Sequence, residues 1–165
     1  MPSSFGPLVL IANPEEAGGR VGRELTTIEH TLTQMDLRYR VHRASQPADA
    51  TRAARAALGA GERFLVAVGG DAMVHDVVNG MFQDDQALNP NAVLGLIAGG
   101  AECDFMKTFG LPEDAVRACR FLEGPNVYQV DVGKVTLNDD QARSLTRYFA
   151  NVAEAGLGAA VLQRR

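Results

Sequence analysis

The sequence predicts an α/β domain with a mostly parallel sheet between two layers of helices, followed by the first strands of an incomplete β-rich second domain. Three observations support this fold. Short, continuous apolar runs indicate strands buried on both faces, amphipathic helical patterns alternate with them, and the pattern changes to β-type near residue 125. We therefore assign residues 1–125 to the α/β domain and residues 126–165 to the start of a truncated second domain.

Four segments carry the strand pattern. Leu8–Ala12 and Phe64–Val68 are apolar throughout, and Val93–Ile97 follows the turn at Asn89-Pro90-Asn91. Leu37–His42 alternates with a period of two instead. Parallel strands joined by helices require helices on both faces of the sheet, so these segments predict a three-layer domain.

Helical stripes fill the intervals between the strands. The predicted helices are Val21–Met35, Pro47–Ala60, Val74–Phe82, Asp104–Phe109 and Glu113–Leu122. Pro47 is expected to start the second of these, because the first turn of a helix tolerates a missing N–H.

The last forty residues predict strands at 127–137 and 148–153, a polar turn at 138–144 and an unfinished apolar segment at 156–162. Two strands without further support leave an edge and an apolar face exposed. We expect this segment to find a partner, for example a second copy of the chain in a homodimer that pairs through the exposed β edge.

Composition narrows the classes of function. The net charge is -4 and no basic stripe occurs, so a nucleic acid partner is not expected. Cys103 and Cys119 lack the spacing of a zinc site, so no metal-ligating residue is assigned, and reduced thiols are expected. The apolar run Leu8–Ala12 is too short for a signal peptide or a membrane span, which predicts a cytoplasmic protein.

The candidate binding residues follow three predicted strands. Asn13-Pro14 with Gly18-Gly19 follows the first strand, Gly69-Gly70-Asp71 the third, and Gly99-Gly100 leads from the fourth to Asp104. Ligands bind at the carboxyl edge of such sheets, and glycines let backbone N–H groups approach a phosphate. Each loop taken alone is more often a plain turn, whereas the three together favour a nucleotide. Neither a dinucleotide fingerprint nor a P-loop motif occurs.

These loops form part of a longer series of motifs. Phe64-Leu-Val-Ala-Val-Gly-Gly-Asp-Ala-Met-Val-His-Asp-Val-Val-Asn-Gly80 resembles the Gly-Gly-Asp-Gly-Thr strand, loop and helix of diacylglycerol and sphingosine kinases and their bacterial relatives. Asn13-Pro14 with Gly18-Gly19 resembles the opening loop of that family. Leu94–Pro112 is similar to its Pro-x-Gly-Thr-x-Asn-Asp-Phe segment, Val130–Gly133 to its Ile-Asp-Leu-Gly, and Tyr148–Ala159 to the opening of its second domain.

The resemblance implies an ATP-dependent lipid kinase that uses Mg²⁺ and acts on a lipid hydroxyl at a membrane surface, with the protein cytoplasmic or peripheral at the membrane. It implies nucleotide contacts at Asn13, Gly69, Gly70, Asp71, Gly100 and Asp104. The catalytic carboxylate is expected beyond Arg165, so no catalytic residue is assigned. Asp71 and Asp76 are candidates for contacts to metal-bound water. A loop cap at Asp71 and a solvated helical Asp76 are the alternatives.

Several residues depart from the family pattern. Ala72 and Met73 replace Gly and Thr, and Ala101 and Glu102 replace Thr and Gly. These changes remove hydroxyl donors, place a methyl where a positive φ or a phosphate needs room, and add a negative charge. We expect weakened nucleotide binding and weakened or lost turnover. A non-catalytic pseudokinase or binding module is therefore an alternative, as is a small-molecule kinase similar to NAD kinase.

Overall fold

The computed structural model describes residues 3–46, 48–138, 141 and 143–153. These residues belong to two compact units, which cover residues 1–129 and 130–165.

The first unit is built on a four-stranded parallel sheet. Its strands are β1 (Leu8–Ala12), β2 (Tyr39–Arg43), β3 (Phe64–Val68) and β6 (Val93–Ile97), in the order β2-β1-β3-β6. Leu8 aligns with both Tyr39 and Phe64, and Phe64 aligns with Val93, so the four strands end level with one another. The predicted α/β fold class is confirmed.

Five helices accompany this sheet: α1 (Glu16–Gln34), α2 (Asp49–Gly59), α3 (Asp71–Met81), α4 (Asp104–Thr108) and α5 (Ala115–Phe121). Helices α1 and α5 pack against one another, as do α2 and α3. A short antiparallel hairpin of β4 (Phe82–Gln83) and β5 (Gln86–Ala87) follows α3.

Alternate residues of the buried strands face two different cores. Leu8, Leu10 and Ala12 lie with the apolar residues of α1 and α5 in one cluster, together with Phe64, Val66 and Val68 of β3. The intervening residues, such as Val9 and Leu65, are also fully buried. Helices α2 and α3 contact β1, and α3 contacts β3, with Val77 and Ala54 buried. Burial on both faces explains why the central strands are continuous apolar runs.

Some predicted boundaries were wrong. β2 begins at Tyr39 rather than Leu37, because Leu37 is buried and its N–H closes the end of α1 on the carbonyl of Leu32. Helix α2 begins at Asp49, whose carboxylate accepts N–H bonds from residues 45 and 46 of the preceding turn. The predicted start at Pro47 lies outside the described residues.

Other helix starts also differ from the prediction, and one hairpin was missed. Helix α3 begins at Asp71 rather than Val74, and α5 begins at Ala115 rather than Glu113, because Asp114 is its N-cap. Helix α1 begins at Glu16, five residues before the first member of its apolar stripe, and contains a left-handed break at residues 17–19. The hairpin of β4 and β5 was not predicted. Its two turn residues, Asp84 and Asp85, both have positive φ, and neither is the glycine that usually marks such a turn in a sequence.

In the second unit, β7 (Gly133–Asn138) and β8 (Ser144–Phe149) form an antiparallel pair. The prediction placed these strands at 127–137 and 148–153. Residues 127–132 are not part of a strand, and β8 starts within the predicted turn. The reason is the pairing of the two strands, which extends from Gly133 opposite Phe149 to Asn138 opposite Ser144. Leu137 and Leu145 are exposed. The predicted segment 156–162 lies outside the described residues.

No helix among the described residues has the length and apolar character needed to cross a membrane.

Candidate functional site

The three candidate loops lie at one edge of the sheet. They follow β1, β3 and β6, which are neighbours in the strand order and end level with one another. The N–H of Gly69 donates to the carbonyl of Ile97 at 2.9 Å, so the second loop begins against the end of β6. Parallel strands thus bring together loops that are far apart in the sequence, as predicted.

The first and second loops are joined by a side chain that sequence reasoning did not select. The Oε1 atom of Glu16 accepts a hydrogen bond of 2.8 Å from the N–H of Gly70, 54 residues away. Gly70 is the N-cap of α3 and has no side chain with which to cap it. A carboxylate is therefore bound where the helix presents its N–H groups and the positive end of its dipole.

Asp71 joins the second and third loops. Its carboxylate accepts N–H bonds from Asp104 at 3.1 Å and Phe105 at 3.0 Å, and it lies 3.5 Å from the Sγ atom of Cys103. Both N–H groups belong to the first turn of α4, whose own N-cap residue, Cys103, provides no capping bond. The carboxylate of Asp71 is therefore a cap for α4, in agreement with the loop-cap alternative.

Glycines 69 and 70 lie where a side chain would not fit. Gly69 has a φ of +152°, and a Cβ atom there would lie 2.5 Å from the Oε2 atom of Glu16. A Cβ atom on Gly70 would lie 2.5 Å from the backbone oxygen of Glu102. Residues from the first and third loops therefore both touch the Gly69-Gly70 turn.

The remaining predicted residues lie in or next to the first and third loops. The Oδ1 atom of Asn13 accepts the N–H of Glu15 at 3.0 Å and so closes a turn after β1. Gly100 has a φ of +84°, and a Cβ atom there would lie 3.2 Å from the Cβ atom of Arg20 on α1. Asp104 is exposed and forms an ion pair of 2.9 Å with Lys107.

The four residues that depart from the family pattern, at positions 72, 73, 101 and 102, lie in environments that differ from one another. Ala72 is exposed in the first turn of α3 and lacks a positive φ, so the strain considered for its methyl group does not arise. Met73 is 5% exposed and belongs to the core. Ala101 would lie 3.5 Å from a Cβ atom on Gly70, and the side chain of Glu102 is exposed.

A cleft of about 280 Å³ opens beside the first loop. Its lining consists of Asn13, Ala44, Ser45, Gln46, Ala50, Met73 and Asp76. Asp76 reaches this wall from α3, and its backbone oxygen accepts a hydrogen bond of 2.8 Å from Thr51 of α2. The residues after β2 and the start of α2 thus also line this cleft, which the three glycine-bearing loops alone did not indicate.

The described residues contain no group of three or more His, Cys, Asp or Glu side chains placed to hold a metal ion. Cys103 is a buried thiol beside the site. Burial raises the pKa of Cys103 to about 11, and the negative charge of Asp71 contributes to the same shift. This thiol is therefore protonated near neutral pH and is a poor nucleophile or metal ligand. The chemistry that this edge supports is the binding of an anion by backbone N–H groups.

The chain matches the model of the diacylglycerol kinase catalytic domain over residues 7–135. It is 37% identical over 113 residues to a protein of Chromohalobacter salexigens named "Probable lipid kinase YegS-like" and covers 33% of that protein with 68% of its own length. It is 27% identical over 148 residues to the diacylglycerol kinase of Bacillus subtilis, covering 45% of that enzyme with 89% of its own length.

Solved structures agree with these relatives. A crystal structure of a diacylglycerol kinase from Bacillus anthracis strain Sterne matches with a TM-score of 0.64 and 26% sequence identity. The match covers 81% of this chain and 45% of that one. The chain thus spans between a third and a half of the length of these proteins. With a family match that extends over most of its length and the fold of the same enzymes, the chain belongs to the diacylglycerol kinase catalytic domain family.

Proposed function

We propose that this chain provides the nucleotide-binding part of a lipid kinase that transfers a phosphoryl group from ATP to a lipid hydroxyl. The observation that carries the proposal is the bond from the N–H of Gly70 to a carboxylate, at the point where three loops meet. An N–H group that binds a carboxylate in this geometry is equally suited to a phosphate oxygen. The proposed division is a nucleotide-binding domain at residues 1–125, with the β-rich domain starting at 126.

The predicted contact residues have distinct roles in this proposal. The N–H of Gly70 donates to phosphate, Gly69 supplies the positive φ of the turn, and Gly100 lets the third loop pack closely against Arg20 of α1. Asn13 holds the first loop and borders the cleft. Asp71 and Asp104 act on the loops rather than on the ligand, since one caps α4 and the other pairs with a neighbouring lysine.

The nucleoside of ATP is proposed to lie in the cleft beside Asn13. Its volume of about 280 Å³ is close to the lower end of the range of ligand pockets, roughly 300 to 1,000 Å³. Gln46 and Ser45 provide polar atoms at the rim, and Met73 provides an apolar wall. The cleft and the Gly69-Gly70 turn both adjoin α3, so one nucleotide can contact both.

Magnesium is proposed to arrive with the nucleotide. Mg²⁺ keeps several waters and is commonly held by one or two carboxylates plus the phosphates, so it does not need a cage of three protein side chains. The carboxylate of Asp71 is engaged by two backbone N–H groups, which leaves Asp76 at the cleft wall as the better placed of the two predicted carboxylates. When bound, the ion neutralises charge on the phosphates.

The lipid acceptor and the catalytic carboxylate are proposed to lie on a β-rich domain beyond Arg165. The protein is proposed to be cytoplasmic and to meet its substrate at the membrane surface. Membership of the diacylglycerol kinase family, and relatives that carry the name diacylglycerol kinase, support the proposal of a lipid substrate.

A second candidate function is a nucleotide-binding or scaffold module without turnover. Specific observations favour it: Met73 is buried instead of presenting a hydroxyl, and the carboxylate of Glu16 occupies the Gly69-Gly70 turn. The comparisons favour the diacylglycerol kinase family over the third candidate, a kinase similar to NAD kinase.

The test is calorimetric titration of the protein with Mg-ATP. We expect saturable binding that falls at least tenfold in Gly70→Ala, because the added Cβ atom collides with the backbone of residue 102. Gly124→Ala is the matched control, since a Cβ atom there has no neighbour closer than 4.0 Å. Absence of binding, or equal binding by both variants, would contradict the site. A protein that also contains the proposed β-rich domain, assayed for phosphoryl transfer to diacylglycerol in vesicles, then separates a kinase from a module that only binds.

A further inference from the structure

The carboxylate of Glu16 fills the concave side of the Gly69-Gly70 turn. Its Oε1 atom accepts the N–H of Gly70 at 2.8 Å. Cβ atoms built on the two glycines would lie 2.5 Å from Oε2 and 3.1 Å from Oε1, respectively. The space that the absent side chains leave open is thus occupied by an acidic group from another loop.

The backbone directs Glu16 into this position. Its N–H donates to the carbonyl of Asn13 at 3.1 Å, which fixes the residue directly after the Asn13-Pro14 turn. Ala17, Gly18 and Gly19 then have φ values of 54°, 67° and 78°, so the chain turns in the left-handed region before the regular part of α1 begins. Glu16 is partly buried, whereas its neighbour Glu15 is exposed and its side chain is not part of the contact.

A carboxylate and a phosphate compete for such a position in two ways. Both accept hydrogen bonds from the same N–H groups and both are favoured by the positive end of the helix dipole. A single N–H cannot serve both at full strength, and two negative groups within contact distance repel one another. The bound carboxylate is itself the evidence that this end of α3 takes an anion.

We propose that Glu16 is a built-in competitor of the nucleotide phosphates and that its side chain must leave the Gly69-Gly70 turn before they bind. This inference rests on the proposed nucleotide site and adds a regulatory contact to it. In the free protein, the fraction of molecules with an open turn sets the apparent affinity, so the carboxylate lowers the affinity in proportion to its occupancy.

The test compares Glu16→Ala and Glu16→Gln with Glu15→Gln, which removes the same charge from the same loop without touching Gly70. Calorimetry with Mg-ATP should show affinity raised about tenfold or more in Glu16→Ala. Glu16→Gln should show a smaller gain, because its amide oxygen still accepts the bond, and Glu15→Gln a change below about threefold. Equal or weaker binding by both Glu16 variants than by Glu15→Gln overturns the proposal, since Glu16 would then support the site rather than compete for it.

A second readout separates this proposal from the nucleotide function. The amide resonance of Gly70 should move in Glu16→Ala, and added tripolyphosphate should shift it further in that variant but not in the unaltered protein. This result supports the competitor role even if Mg-ATP itself fails to bind, in which case only the proposed nucleotide function is lost. An unchanged Gly70 resonance in both Glu16 variants, with thermal melts showing that both are folded, overturns the proposal.

Discussion

The Oδ1 atom of Asp71 accepts a hydrogen bond of 3.0 Å from the N–H of Phe105, a residue 34 positions further along the chain. The same carboxylate accepts the N–H of Asp104 through its other oxygen. One side chain therefore connects the start of α3 to the start of α4, and the loops after β3 and β6 depend on each other for their conformation.

Removal of this cap should destabilise the first unit. We expect Asp71→Ala to lower the free energy of unfolding by about 1 to 3 kcal/mol, because two N–H groups at the start of α4 lose their acceptor. Asp71→Asn should lose less, since its one remaining oxygen still accepts a bond. Chemical denaturation of both variants measures the difference.

Asp76→Asn is the matched control for Asp71, because the backbone oxygen of Asp76, and not its carboxylate, accepts the hydrogen bond from Thr51. Equal stability of Asp71→Ala and Asp76→Asn would show that the cap contributes little.

A second prediction concerns the close packing of α2 on α3. A Cβ atom on Gly80 would lie 2.5 Å from the backbone oxygen of Thr51 and 2.6 Å from the Cβ atom of Ala54. Gly80→Ala should therefore force the helices apart and destabilise the protein by about 1 to 3 kcal/mol. Thermal melts of the purified variant measure the loss.

For Gly59, in α2, we expect that replacement by alanine has the opposite effect on stability. Gly59 is helical, and a Cβ atom there has no neighbour within 4 Å. Gly59→Ala should stabilise the protein by up to about 1 kcal/mol, because alanine restricts the unfolded chain more than glycine does. A melting temperature of Gly80→Ala that is unchanged, or raised as in Gly59→Ala, would contradict the packing described for Gly80.

The sequence was sufficient to predict most of the sheet. β1, β3 and β6 begin and end at the predicted residues, because burial on both faces leaves a continuous apolar run with clear ends. β2 was placed two residues early because Leu37, which ends α1, is as apolar as a strand residue. The strands of the second unit were displaced because the pairing of Gly133 with Phe149, not the apolar pattern, sets their register.

The sequence predicted that the candidate loops meet at one edge of the sheet, but not the contacts that connect them. Parallel topology brought Gly70, Asp71 and Asp104 to one edge, which the order of strands and loops implied. The contact of Glu16 with Gly70 was not predicted, because the two residues lie 54 positions apart and the sequence does not show which backbone N–H a loop carboxylate will reach. The only signal in the sequence was the position of Glu16 between Asn13-Pro14 and Gly18-Gly19.

The third prediction concerns the two thiols. Burial raises the pKa of both Cys103 and Cys119 to about 11. Both should therefore react slowly with a thiol reagent at about pH 8 in the native protein and rapidly after denaturation. Fast reaction of either thiol in the native state would show that it is accessible and ionised.

The same shifts give stability a pH dependence with a definite sign. An unfolded thiol loses its proton near pH 8.5, whereas the folded thiols keep theirs to about pH 11. Between these values the folded state binds more protons than the unfolded state, so the free energy of unfolding falls as pH rises. The Cys103→Ala, Cys119→Ala double variant should show a smaller fall over this window in denaturation curves.

The last prediction concerns the residues that depart from the family pattern. If they weaken nucleotide binding, then Ala72→Gly, Ala101→Thr and Glu102→Gly together should raise the affinity for Mg-ATP by about tenfold or more, because a hydroxyl is restored and a charge is removed. Met73→Thr is left out of this set, since Met73 is 5% exposed and its loss from the core should lower stability. It serves instead as a separate variant, expected to melt earlier without a gain in affinity. Calorimetry on the triple variant and the unaltered protein measures the change. Low-micromolar binding by the unaltered protein, with no gain in the triple variant, would mean that the substituted loops bind the nucleotide by a different geometry.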